Sequence, residues 1–144
     1  MRALAARTRY DYLMTSTRHI PIPEAGPAVR DVLLREARAV TPDTPLREVR
    51  ETFANPRVKL LLVADGERFL GTLAPGDLPA GGDGTIGPHV RTDAPRLSAD
   101  DGVDEALKLV RETGAARIPV VDADGRLEGL VCFNHARNVF CASP

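Results

Sequence analysis

The sequence predicts a mixed α/β (α+β) fold made of two copies of one βαββα unit. Two observations carry this. Arg117-Ile-Pro-Val-Val121 and Leu127-Glu-Gly-Leu-Val-Cys132 are short apolar, β-branched-rich runs. Between them Asp122-Ala-Asp-Gly-Arg126 supplies a turn in which Gly125 can take a positive φ. The same layout recurs about 57 positions upstream, the offset from Thr41-Pro-Asp-Thr-Pro-Leu46 to Ser98-Ala-Asp-Asp-Gly-Val103. Lys59-Leu-Leu-Leu-Val63 matches Arg117–Val121, and Gly71-Thr-Leu-Ala-Pro-Gly-Asp77 matches Gly129-Leu-Val-Cys-Phe-Asn-His135. Two copies are too few for a solenoid, so the units are expected to bury their faces on each other.

Residues 1–28 lack periodicity, are rich in arginine, and are broken by Pro21, Pro23, Gly26 and Pro27, which reads as a tail or an arm on a neighbour. A translation start at Met14 is a second reading of that segment. Val29, Val32 and Leu33 share a helical face and predict a short helix over 28–35. Thr44 with Pro45 reads as N-cap and first turn of a helix from Leu46 to Ala54, ended by Asn55-Pro56. Val58–Ala64 is too continuously apolar for a half-exposed strand and is expected to be buried on both faces. Asp65-Gly66 turns the chain and Phe69–Leu73 returns it. Pro79–Gly84 reads as a connector, which divides the chain into 1–28, 29–84 and 85–144.

In the second unit Ile86–Val90 predicts a short opening helix and Pro95–Ser98 an extended piece. Asp101 is the expected cap of a helix over Val103–Thr113, with Asp104 in its first turn and Gly114 closing it. Phe133–Phe140 is polar enough to read as a trailing helix. Pro119 sits inside a strand, where its nitrogen must face a sheet edge or a cleft wall.

Composition narrows the function. Hydrophobic residues make up 43% but aromatics only 4%, so the core is aliphatic. A net charge of -1 provides no basic field for nucleic acid. No apolar run approaches the roughly 18 residues of a membrane span. No signal sequence is evident, and two cysteines make no disulfide framework, so the cytoplasm is the expected compartment.

The Thr-Pro-Asp-Thr-Pro-Leu segment, the Arg-Ile-Pro-Val-Val-Asp strand and the Asp-Gly-Arg-Leu-x-Gly turn, in this order and in two copies, resemble a tandem pair of CBS domains. The resemblance spans about Val29 to Ala142 and implies sheets packed back to back about a pseudo-twofold axis. It implies two clefts that accept adenosine-type ligands such as AMP, ATP or S-adenosylmethionine. In the family a Ser/Thr-x-x-Asp slot after the last strand holds the ribose. Here that slot is Ala74-Pro-Gly-Asp77 in the first unit and Cys132-Phe-Asn-His135 in the second. Asp77 keeps the carboxylate, Ala74 and Cys132 lack the hydroxyl, and His135 replaces the acid. Lys59 and Arg117 stand at matched strand positions where a cation meets phosphate, and Thr41 completes the ligand-binding set.

Each of these residues carries a second reading. Asp77 also suits an N-cap at Leu78, and Lys59 and Arg117 also suit solvated strand ends. Cys132-x-x-His135 with Cys141 has ligand-like spacing but lacks a fourth ligand, so no metal site is expected. No nucleophile elbow, phosphate loop or metalloprotease motif occurs, and no catalytic residue is assigned. The implied function is a regulatory module that senses a small ligand and signals to a partner protein. The alternative is a ligand-free dimerisation or interaction scaffold. The resemblance implies a homodimer, with Val49, Phe53, Leu107 and Val110 on helices at the contact.

Overall fold

The computed structural model describes residues 19–21, 26–35 and 38–141, the first three as backbone only. Its strands are β1 (His19–Pro21), β2 (Ala39–Val40), β3 (Leu61–Asp65), β4 (Arg68–Leu73), β5 (Arg117–Val121), β6 (Leu127–Asn134) and β7 (Val139–Cys141). Two α-helices, α1 (Leu46–Phe53) and α2 (Val103–Thr113), stand beside 3-10 turns at Val29–Asp31, Pro75–Asp77 and Gly87–His89. One sheet has the order β2-β3-β4 and the other β1-β7-β6-β5.

The two repeats build their hairpins alike. Gly66 (φ +61°) turns β3 into β4, and Gly125 (φ +86°) turns β5 into β6. The Asp122 carboxylate tightens the second turn by accepting from the amides of Asp124 and Arg126 at 2.9 and 2.8 Å. Both ladders slip by one residue at matched places, after Val63 and after Val120. β2 runs parallel to β3, and Leu97 bridges Val120 in parallel. The two turns then join each other: Phe69 N–H donates to Gly125 at 2.9 Å and Leu127 N–H to Glu67 at 2.8 Å.

The segments leading into the two repeats are exchanged. Val29 and Val32 precede the first repeat but sit in the core of the second, with Val103, Ala106, Val110 and Val131. Ile86 precedes the second repeat and sits in the core of the first, with Leu46, Val49, Val63 and Leu73. Three hydrogen bonds repeat on each side. Ile86 N–H donates to Thr44, Gly87 N–H to Pro42, and Leu46 N–H to Gly84, at 2.9–3.0 Å. Their counterparts run from Val29 to Asp101, Arg30 to Ala99, and Val103 to Pro27, at 2.8–3.1 Å. Val29 and Ile86 are each fully buried. Burying an aliphatic side chain of that size stabilises by about 1.5–3 kcal/mol.

This exchange explains where the caps fall. The first amides of α1 and α2 are satisfied by carbonyls of the exchanged segments. Thr44 and Asp101 are therefore not the N-caps expected; those positions are Pro45 and Gly102. The Asp101 carboxylate instead accepts from the Ser98 amide at 2.8 Å. Gly114 closes α2 in the left-handed region (φ +73°), as expected.

Three further expectations are corrected. The 28–35 helix shrinks to the turn at Val29–Asp31, because Leu34 leaves it to bridge Leu130. Phe133–Phe140 is not a helix: β6 continues to Asn134 and the chain reverses into β7. Asn134 Oδ1 accepts from the Arg137 amide, and Asn138 takes φ +55°. Residues 19–21, read as tail, add β1 to the sheet beside β7; the rest of the predicted tail, residues 1–18 and 22–25, lies outside the described residues.

Most of the residues expected at a dimer contact are used within the chain. Val49, Leu107 and Val110 are buried within the chain's own cores. A contact through these helices would have to rest on half-buried residues such as Phe53 and Leu109. Pro119 meets the expectation for a strand proline. It lies on β5, the outer strand of its sheet, where Leu97 N–H donates to its carbonyl and Val121 N–H donates to Leu97. Alternate residues of a strand point the same way, so the proline nitrogen faces the Leu97 side, where only an isolated bridge forms, and no bond to β6 is lost.

Candidate functional site

A third apolar cluster seals the seam between the sheets, with Leu62 and Phe69 from the first repeat against Val121, Leu130, Cys132 and Cys141 from the second. Beside it lies a cleft of about 170 Å³. Leu60, Ile118 and Pro119 give it an apolar wall, and Ala74, Asp77, Arg91 and Arg117 bring polar groups or chain ends to its rim. The cleft therefore joins one repeat's carboxylate to the other repeat's guanidinium.

Asp77 ends the Pro75–Asp77 turn and is held from two sides. Its Oδ2 accepts from the Ala74 amide at 2.9 Å, and its Oδ1 pairs with the Arg91 guanidinium at 3.0 Å. Its side chain is 14% exposed and that of Arg91 58%. Burial pushes the Asp77 carboxyl up, but the Ala74 amide and Arg91 together outweigh it and hold it below the ordinary range. No helix begins at Leu78, which is extended, so the N-cap reading fails. The local role of Asp77 is shared with Asp31 and Asp101, which accept amides three residues back in the same way.

Of the residues expected to bind ligand, Ala74, Asp77 and Arg117 meet at this cleft. Lys59 is exposed and does not line it, although its neighbour Leu60 does. Thr41 lies elsewhere, its hydroxyl bonded to the Asp43 carboxylate and 3.3 Å from the Thr44 hydroxyl. Cys132 is buried in the seam beside Cys141. His135 is exposed, edge-on to Phe133 at 5.0 Å, with Nε2 2.7 Å from the Ala115 carbonyl. Among the described residues no group of three or more His, Cys, Asp or Glu could hold a metal ion.

Arg91 is the site residue that sequence reasoning missed. The signal was faint: Thr72 and Arg91 exchange backbone hydrogen bonds at 3.1 and 2.8 Å, as Leu130 and Leu34 do in the other repeat at 2.9 Å. Aligning the lead-in segments as well as the hairpins would have set Arg91 against Leu34.

A larger groove of about 430 Å³ is lined by Arg30, Arg35, Asp100, Asp122 and Glu128. Its charges are mixed, and Arg30 is already paired with Asp100. Two arginines face three carboxylates there, a lining unsuited to an anionic ligand, so the smaller cleft is the better candidate.

Two like units sharing a seam, with a mixed apolar and charged cleft between them, define a tandem-module architecture. The family model for the CBS domain matches residues 29–78 and again residues 86–139. The chain belongs to the CBS domain family, with one match in each repeat. It is similar to inosine-5'-monophosphate dehydrogenase of Mycobacterium tuberculosis, 34% identical over 124 residues, covering 79% of this chain and 23% of that enzyme. An uncharacterized protein, MJ1232 of Methanocaldococcus jannaschii, is 24% identical over 72% of this chain and 36% of its own length. The chain thus spans well under half of the curated relatives it matches. Among solved structures, CBSX2 in complex with AMP has a TM-score of 0.64 at 24% identity, covering 74% of this chain and 90% of that one. The cytosolic domain of the Mg2+ channel MgtE in complex with ATP has a TM-score of 0.59 at 23% identity, covering 71% and 44%. At such identities these likenesses show the shared fold. Among the described residues no helix is long and apolar enough to cross a membrane.

Proposed function

We propose that the chain is a regulatory module that binds an adenosine-type ligand in the Asp77 cleft and passes the binding event to a partner protein. One observation carries this reading: Asp77 from the first repeat and Arg117 from the second face the same apolar-walled cleft. A carboxylate accepts from both vicinal hydroxyls of a ribose, the apolar wall takes a base, and a guanidinium offsets phosphate charge. The solved relatives in complex with AMP and ATP support that ligand class. The ligand must compete with Arg91 for Asp77. An ion pair so exposed on one side is worth only about 0–1 kcal/mol, so opening it costs little. The cleft is smaller than the roughly 300 Å³ at which drug-sized sites begin, so phosphates are expected to lie outside it, near Arg91 and Arg117. The methyl group at Ala74 forgoes one neutral hydrogen bond, about 1 kcal/mol.

The scaffold reading keeps one specific support. Both Asp77 oxygens already have partners, in a turn that Asp31 and Asp101 form without any such cleft. Calorimetry of the full chain against AMP, ATP and S-adenosylmethionine separates the two readings. We expect binding of at least one ligand, weakened about ten- to a hundred-fold in Asp77→Ala, the loss of a charge-assisted bond. Equal affinity in the variant would place the ligand elsewhere. No binding by wild type would leave the scaffold.

A further inference from the structure

The second sheet carries a row of side chains across the seam. β5 and β6 set Arg117 opposite Cys132. β6 and β7 set Phe133 opposite Phe140, so one step further Cys132 stands opposite Cys141, on the other face from the phenylalanines. Both cysteines belong to one apolar cluster, and both are free and nearly buried, at 7% and 9% exposure. Phe133 N–H donates to Ala116, toward β5, at 2.7 Å, so the Cys132 amide points to β7. Residues opposed in that kind of pair have Cα atoms about 5.5 Å apart. A disulfide spans about 4.4–6.8 Å between Cα atoms, so the two cysteines lie within reach of one after a local adjustment that draws their Cβ atoms together.

We propose that Cys132 and Cys141 form an oxidation site that closes reversibly into an intramolecular disulfide when a peroxide reaches the seam. The Cys132 sulfur attacks one peroxide oxygen and breaks the O–O bond. Cys132 becomes a sulfenic acid, and the departing hydroxide takes up a proton as water. The Cys141 sulfur then attacks the Cys132 sulfur, displacing the hydroxyl with the Cys141 proton as a second water. The two thiols lose two electrons, which the peroxide gains.

The surroundings assign the roles. The hydrogen bond from Cys141 and, after it, the charge of Arg117 favour the Cys132 thiolate against the cost of burial and hold its pKa below the ordinary thiol value. The same hydrogen bond and burial raise that of Cys141. Arg117 stands opposite Cys132 on the neighbouring strand and Cys141 lies one strand further away, so Cys132 is the attacking group and Cys141 the resolving one. The proposal shares Arg117 with the Asp77 cleft but does not require a ligand there, so it is tested on the ligand-free chain.

Reduced full-length chain treated with hydrogen peroxide and then with a maleimide tests it by mass spectrometry. The expected product is an unlabelled monomer lighter by two hydrogens, with a Cys132–Cys141 peptide link that dithiothreitol opens. Cys141→Ser should stop at a sulfenic acid on Cys132, trapped by dimedone. Two thiols still open to maleimide after peroxide, a disulfide between chains, or oxidation to sulfinic acid alone would each overturn the proposal. The wild-type measurement decides even where a variant fails to fold.

Discussion

The ends of β4 and β6 occupy the same place in the two repeats and do different work. After β4, Ala74-Pro-Gly-Asp77 forms a tight turn whose carboxylate faces a cleft and meets Arg91. In the second repeat Cys132-Phe-Asn-His135 stays within β6 as far as Asn134, buries its cysteine in the seam and sends its histidine to a backbone carbonyl. The backbone frame is shared to the level of single hydrogen bonds, while the side chains at the two slots have diverged. A repeat therefore preserves a scaffold without preserving a site, and function has to be read at each slot separately.

The shared frame offers the largest test. A Cβ on Gly71 would lie 2.3 Å from the Arg91 carbonyl oxygen, and one on Gly129 2.1 Å from that of Leu34. Alanine at either position should destabilise the chain by about 3 kcal/mol through overpacking, seen as a lower urea midpoint. In ligand binding the two should part, because Gly71→Ala displaces the segment that carries Arg91 whereas Gly129→Ala disturbs the side without the acid. Equal loss of adenosine-ligand affinity in both would erase the distinction between the slots.

A smaller effect probes the second slot directly. His135→Asp restores a carboxylate there, yet Leu34 stands where the first repeat has Arg91 and Cys132 is committed to the seam. Calorimetry should still find at most one adenosine ligand per chain. A stoichiometry of two would mean that the carboxylate alone distinguishes the slots.

The smallest effect is in pH. The pKa of Asp77 is lowered in the folded chain, so its contribution to stability is present above the ordinary carboxylate value of about 3.9 and is lost as pH falls through the folded value. Arg91→Leu removes one source of that lowering. Its thermal midpoint should fall slightly below wild type at neutral pH, and the gap should close on acidification. A gap that persisted below the folded value would mean that Arg91 stabilises by packing alone.

Much of the frame was legible in the sequence because it depends on local signals. The β-branched runs, Gly66, Gly125 and Gly114 fixed both hairpins and the end of α2 from a few neighbouring residues each. The exchange of Val29 and Ile86 was not legible, because an apolar periodicity marks a buried face without saying which core receives it. The same gap misassigned the caps, since carbonyls from the exchanged segments took the first helix amides that Thr44 and Asp101 were expected to cap. Polarity misled at Phe133–Phe140, where Phe133 and Phe140 pair across a hairpin while the polar residues between them make its turn. At the site, Asp77, Ala74 and Arg117 could be found from the repeat. Arg91 could not, because its pairing with Thr72 is a tertiary contact.

The crossed lead-in segments also set an order of events on the ribosome. Ile86 emerges soon after β4, so the first repeat can complete its core while the rest of the chain is still being made. Val29 and Val32 emerge earlier than every other member of the core they belong to. Their neighbour Arg30 meets Asp100 only 70 positions later. At about 5–20 residues per second, that is a wait of roughly 4–14 s with two valines uncovered. The first segment of the pair to leave the ribosome is among the last to find its place.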